Sequence, residues 1–393
     1  MSLNNIDFTS IKKSSLIVSY PFEYDKNKIL EGDGKAIVKF SPETLLDFLP
    51  YTQKNFFGAY HFSDKTPVKI SIPSVLKSNE ALSIHFHKDK KIAIAIEIDK
   101  IEIFIFENGI ALLTLSYVLP DNLTQEEYLY YHHKLTHIGK RSKQNIVTSK
   151  NKEYKYYHEF IDDLLKPYTL KVDNVFSRVN LYSYNVLVAK YCNNTTNMQN
   201  FLEPLTQYRT KLDEIETVQL NASIFTQTAN IHTISNENVT IHVAIEKDNI
   251  INDFIENDFF EKYLNNHFLT YLISIYQVSK LTQLINRAFL KGVESQDINT
   301  MRDIKMDILY FVSNGNFTKI SNNSIRNNLY KFYRKVMDLK EMLDEVNTVS
   351  EKISSELERK QNDKQDRTYK RFEIALAFIG ALIGVIGLIL TLQ

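Results

Sequence analysis

The sharpest pattern of apolar and polar positions lies between residues 92 and 118. The segments IAIAIEI, IEIFIFE and IALLTLSYV alternate or run apolar, and Asn108-Gly109 stands between them. Asn-Gly is the preferred type I′ pair for a two-residue hairpin, so Ile92–Glu107 and Ile110–Val118 are predicted to be paired strands. Thr124 and Glu127 form a capping box that opens a helix through about His137. Further strands are predicted at Ser15–Tyr20, Ala36–Phe40, Val68–Ile72 and Leu82–His87. Ser41-Pro42 opens a short helix, with Ser as cap and Pro at the first position.

A second unit is predicted to begin near Tyr154, with a helix over Tyr154–Leu165, a strand over Leu181–Tyr191, a helix over Asn197–Thr210 and a strand over Val239–Ile245. The strand–strand–helix order then occurs twice. The fold class expected is an α+β domain with a mixed or antiparallel sheet and ferredoxin-like elements. From Ile250 to Leu290 the pattern turns helical and aromatic, Asp303–Val312 is a further helix, and Asn314-Gly315-Asn316 interrupts it. The organisation expected is an α+β sheet domain over 1–145, a second α+β unit over 146–250, a helical region over 251–323, a stalk over 324–370 and a membrane helix over 371–393.

The stalk rests on an apolar seam of alternating four and three spacing: Ile325, Leu329, Phe332, Val336, Leu339, Leu343, Val346, Ile353 and Leu357, with Ser350 as its polar interruption. Such spacing marks a coiled coil or a long packed helix, here proposed to hold copies of the chain together. No Pro or Gly occurs from Asn316 to Ile379. One helix is therefore expected from about Ser324 to the C-terminus, roughly 100 Å long. Its stretch Glu358–Arg371 is polar on all faces.

Ile374–Leu392, IALAFIGALIGVIGLILTL, carries no charge, and Thr391 is its one polar side chain. At about 1.5 Å per residue it extends roughly 28 Å, the thickness of a bilayer's hydrocarbon core, so a single-pass membrane helix is expected. Lys352, Arg359, Lys360, Lys364, Arg367, Lys370 and Arg371 precede it. By the positive-inside rule the bulk of the chain then lies in the cytoplasm, beneath an inner or cytoplasmic membrane. Ala377, Gly380, Gly384 and Gly387 share one stripe, and Gly380 with Gly384 makes a GxxxG pair. That stripe and Thr391 are the candidate helix-association and pore residues.

Composition narrows the function classes. The 47 basic and 47 acidic residues balance, which argues against a direct nucleic-acid binder driven by bulk charge. Cys192 is the single cysteine, so neither an internal disulfide nor a Cys-based zinc site can form. Met1–Ser14 has no apolar run of signal-peptide type. His85 and His87 share a strand face, and His133 and His137 are at i and i+4 beside His132. Without an HExxH signature these read as polar faces, and no metal site is expected. No P-loop, GxGxxG or GxSxG motif occurs, and no catalytic residue, enzyme activity or cofactor is predicted. Tyr128, Tyr130 and Tyr131 fall on one short helix and are not expected all to face inward, so part of the cluster should meet a partner or a second domain.

The order of parts resembles the CorA-like family. IEIFIFENGIALLTLSYV followed by a capped helix looks like the hairpin and helix of that family's soluble domain. Tyr330–Leu357 running into Arg371–Leu392 looks like its stalk and pore helix. The resemblance implies a homo-oligomer, a pentamer, around a membrane pore. The family's Gly-Met-Asn signature and second membrane helix are absent from this sequence. Those departures are more similar to the CorA-type membrane effectors of type III CRISPR systems, which respond to a nucleotide second messenger, in one type a conjugate of S-adenosylmethionine and AMP. The resemblance thus implies a ligand-gated antiviral effector that opens or disrupts a membrane. A CorA-type divalent-cation (magnesium) transporter and a tail-anchored scaffold are the alternatives. The sequence assigns no ligand-binding residue.

Overall fold

The computed structural model describes residues 8–24, 37–38, 48–50, 52, 61–64, 68–73, 93–106, 109–136, 146–149, 152–154, 157–166, 181–191, 223–228, 230–246, 253–289 and 297–391. The chain divides into two compact units, one of Met1–Lys280 with Phe317–Lys340 and one of Leu281–Asn316 with Glu341–Gln393.

The first unit is built on a twelve-stranded sheet. Its strands are β1 Phe8–Glu23, β2 Ile37–Val38, β3 His61–Asp64, β4 Val68–Pro73, β5 Ala93–Ile105, β6 Ile110–Val118, β7 Ile146–Ser149, β8 Lys152–Tyr154, β9 Tyr182–Tyr191, β10 Ser223–Thr228, β11 Ile231–Ser235 and β12 Val239–Glu246. They lie in the order β10-β11-β12-β9-β1-β6-β5-β4-β7-β8, with β3 joining β2 to β5. The β12–β9 pair is parallel, and the other pairs are antiparallel. The predicted hairpin forms, but Phe106 pairs with Ile110, so three residues, 107–109, separate the strands where a two-residue turn was expected. Gly109 has φ +84°, and Phe106 N donates to the Ile110 carbonyl at 3.0 Å. A side chain at Gly109 would be strained by that backbone.

Alternation along the strands gives the sheet two faces. One carries Leu16, Val18, Leu113, Leu115, Ile101, Ile103, Leu187, Ile241 and Val243. It is closed by Tyr128, Leu129 and Leu135 of α1 (Gln125–Thr136) and by Phe160, Ile161 and Leu165 of α2 (Tyr157–Leu165). Burying each aliphatic side chain there stabilises by about 1.5–3 kcal/mol. The capping box that starts α1 is present, with Glu127 N donating to Thr124 Oγ1 at 3.2 Å and Thr124 N to Glu127 Oε2 at 2.9 Å. The opposite face meets two helices, α3 (Phe268–Arg287) and α5 (Ser324–Val336). Phe106 packs on Tyr276, Tyr184 on Tyr271 and Phe225 on Phe332, with ring centroids 4.5, 5.2 and 5.8 Å apart.

The second unit is helical. It holds α4 (Ile298–Asn314), the last turns of α3 and most of α6 (Leu339–Thr391). Asp297 caps α4 by accepting from the Asn299 and Thr300 backbone N–H groups at 3.2 and 3.0 Å. Arg287 pairs with Asp307. Met301, Ile304, Ile308 and Phe311 of α4 are buried, as are Val346, Val349, Ile353 and Leu357 of α6. Gly315 ends α4, where an added Cβ would lie 2.6 Å from the Phe311 ring.

Four expectations are corrected. The strands after residue 146 do not form a second, ferredoxin-like repeat. They join the first sheet, because β9 pairs with β1 on one side and β12 on the other. The single stalk helix is two helices: Met337 ends α5, and Asp338, with φ +49°, turns the chain into α6. The seam does not run free to partner copies, since Leu329, Val336, Leu339, Val346, Ile353 and Leu357 are buried within the chain itself and Ile325 is exposed. Finally, among the described residues no helix is long and apolar enough to cross a membrane, which overturns the fold class with one C-terminal transmembrane helix.

Candidate functional site

The sheet face under α3 and α5 carries an unusual amount of buried polarity. On β12, Ile241 and Val243 point to the apolar core, so Thr240 and His242 point the other way, and both are fully buried. His242 lies among three tyrosines, with ring centroids 4.7 Å from Tyr184, 4.7 Å from Tyr263 and 6.5 Å from Tyr333. Its two nitrogens are both engaged. Nδ1 shares a hydrogen bond with Thr233 Oγ1 at 2.7 Å, and Nε2 shares one with the Tyr333 hydroxyl at 3.0 Å. The Tyr184 hydroxyl donates to the Tyr263 carbonyl at 2.8 Å, Tyr271 donates to the Ser183 carbonyl at 3.3 Å, and Tyr263 donates to Gln227.

Two π-helical turns, Phe254–Asp258 and Lys262–His267, lead into α3 and bring Tyr263 and His267 to this cluster with rings 4.5 Å apart. Widened turns of this kind recur at functional positions of helices. His267 Nδ1 is buried and has no hydrogen-bond partner among the described residues. Burial lowers the His267 pKa to about 4, with the charges of Arg326 and Lys262 adding to the effect. Burial also holds His242 well below the ordinary histidine range, helped by His267, and pushes the Tyr184 and Tyr333 hydroxyls well above theirs. The junction is therefore neutral and hydrogen-bonded. It is suited to fixing the relative positions of β9, β12, the π-turn segment, α3 and α5, and not to acid–base chemistry. Tyr333 sits one turn before the end of α5, so the junction holds the residues that lead through Asp338 into α6.

A smaller network lies on the opposite sheet face. The Tyr128 hydroxyl donates to Asn185 Oδ1 at 2.5 Å, Asn185 Nδ2 donates to the Thr240 carbonyl at 3.0 Å, and His132 Nε2 lies 3.0 Å from Ser183 Oγ. A Ser–His pair at that spacing is the geometry of an activated nucleophile. Both residues are fully buried, and burial lowers the His132 pKa to about 3, so the pair braces α1 on β9. Tyr128, Tyr130 and Tyr131 are all buried in this layer, which corrects the expectation that some of them face a partner. His85, His87, His137 and Cys192 lie outside the described residues. Among the described residues no cluster of His, Cys, Asp or Glu could hold a metal.

The candidate association residues lie at the far end of α6. From Gln361 onward the described side chains are exposed, including Tyr369, Phe372, Ile374, Phe378 and Ile383 at 63–73%. Ala377 and Gly380 are exposed, and an added Cβ at Gly380 meets nothing. The exposure of Gly384, Gly387 and Thr391 lies outside what the structure describes. His242, Tyr184, Tyr263, Tyr271 and Tyr333 were not predicted as a site. Their signals in the sequence are a histidine inside the apolar strand VTIHVAIE and the aromatic run FFEKYLNNHF. Comparison with protein-family models, curated proteins and solved structures finds no match for this chain.

Proposed function

We propose that the protein is a self-assembling membrane effector, in which the sheet unit receives a small ligand and the end of α6 acts on lipid. The observation that carries this reading is the exposed apolar end of that helix. At 100° per residue, Phe372, Ile374, Leu376, Phe378, Ile379, Leu382 and Ile383 occupy an arc of about 200°. Ala377, Gly380 and Ala381 fill the remainder together with the exposed Glu373 at its start. A protein groove covers a narrow stripe of a helix, whereas an arc this wide matches lipid. The flat small-residue side is left for a second copy. Lys364, Arg367, Lys370 and Arg371 precede the arc and are exposed. Each basic residue near an anionic headgroup layer adds about 1 kcal/mol of attraction.

On this reading the apolar end embeds in lipid without crossing it. The ligand class to test first is a nucleotide-derived signal, as the architectural resemblance implies. A ligand of the folded sheet unit raises stability by about 2.7 kcal/mol at a hundredfold excess over its Kd. The experiment is co-flotation of the full chain with vesicles, followed by dye release. The expected result is flotation with vesicles containing anionic lipid, weaker flotation with zwitterionic ones, and dye release. Flotation without release would leave a membrane-bound scaffold. No flotation with either lipid would remove the effector reading.

A further inference from the structure

Helix α6 changes character twice beyond its packed part. Leu357 is its last buried residue among those described. Over 361–368 the sequence is QNDKQDRT, which holds no apolar side chain, and every one of these residues is exposed. Tyr369 and Phe372 follow, 72% and 63% exposed, three residues apart and so on one side of the helix. The apolar arc begins at Phe372. Charge is sorted in the same direction. Asp363 and Asp366 lie within the polar stretch, while Arg367, Lys370 and Arg371 fall in the last five positions before Phe372, with no acid among them. Glu373 comes next, and Lys370, three residues earlier, stands on the same side to answer its charge.

We infer that the boundary between water and lipid on α6 lies at 369–372, and that 361–368 stands in water as a spacer. This boundary rests on the lipid-binding reading of the helix end and locates where that contact begins. A helix that lies on a membrane surface needs an apolar face along its length. The stretch 361–368 has none, and it offers no apolar seam through which a second copy could cover it. Contact with lipid therefore starts at Tyr369. The apolar ring and polar hydroxyl of a tyrosine suit the headgroup level, where tyrosines concentrate. Arg367, Lys370 and Arg371 bring three cations to that level, complementary to anionic headgroups, on stems long enough to keep the charge in the wet layer. The surface that fits is an anionic lipid layer. The spacer measures about 12 Å along its axis and separates that layer from the packed part of this unit.

The chain contains no tryptophan, so a single introduced one reports alone. The test uses Gln365→Trp, Tyr369→Trp and Phe378→Trp in the full chain, each at an exposed position, bound to vesicles containing anionic lipid. Iodide quenches fluorescence from the water, and brominated acyl chains quench it from the lipid. On binding, Phe378→Trp is expected to lose iodide quenching several-fold and to gain bromine quenching. Gln365→Trp is expected to keep its iodide quenching and show no bromine quenching, with Tyr369→Trp between the two. Bromine quenching at Gln365→Trp equal to that at Phe378→Trp would put the polar stretch in lipid. Undiminished iodide quenching at Tyr369→Trp would move the boundary into the apolar arc. Either result overturns the boundary and leaves the membrane reading standing. A wild-type chain that fails to float with these vesicles would remove the membrane reading itself, and the boundary with it.

Discussion

The sheet unit and the end of α6 distribute polarity in opposite senses. The sheet unit buries Thr233, His242, Tyr184 and Tyr333 and satisfies them internally. The helix end exposes Phe372, Ile374, Phe378 and Ile383. The hydrogen bonds of the first four close within one chain, while the buried His267 Nδ1 beside them has no hydrogen-bond partner among the described residues. The second region exposes the kind of surface that normally drives folding, which on the proposed reading meets lipid. The same sequence thus carries a sheet unit closed on its own core and a helix end whose described side chains are exposed.

The largest expected effect on this contrast is acid. The native pKa of His267 is about 4 and that of His132 about 3, both below the ordinary 6.5. Below pH 6.5 the unfolded chain therefore takes up protons that the native one refuses. Stability is fully present above about 6.5 and falls as pH drops toward 4 and 3, by about 1.4 kcal/mol per unit for each such histidine. Thermal unfolding followed from pH 7 to pH 4 should show a steep loss of Tm. A flat profile would mean that these histidines are hydrated, and the sealed junction would be wrong.

Next in size is Tyr184→Ala. It removes a fully buried ring that touches His242, Phe268 and Tyr271, and also the hydroxyl donated to the Tyr263 carbonyl. Large aromatic-to-alanine changes in a core cost about 3–5 kcal/mol. Denaturant unfolding should show a loss in that range. A loss under about 1 kcal/mol would place Tyr184 at a yielding surface and separate the junction from the core.

Local elements were legible where short-range chemistry decides them. Asn108-Gly109 predicted the hairpin, Thr124 with Glu127 the start of α1, and the Val239–Ile245 alternation the strand β12. Long-range pairing was not. Nothing in the residues near 182–191 states that β9 lies between β1 and β12, and without that pairing the later strands read as a second repeat. The seam from Leu329 to Leu357 was read correctly as apolar and wrongly as free, because heptad spacing does not say whether the covering helix belongs to the same chain or another. The junction escaped notice for the same reason. His242 and Tyr333 are 91 residues apart in sequence and meet only once α5 lies on the sheet.

The smallest expected change in stability accompanies the most direct test. Phe378→Glu with Ile379→Glu places two carboxylates in the exposed apolar arc of α6. Exposed substitutions away from packed contacts shift folding by about 0.5 kcal/mol or less. The account predicts that the unfolding curve of the double variant overlays that of the wild type, while its flotation with anionic vesicles is lost. Retained flotation, or a variant that unfolds well below wild type in detergent-free buffer, would contradict the division into a sheet unit closed on its own core and a helix end that meets lipid.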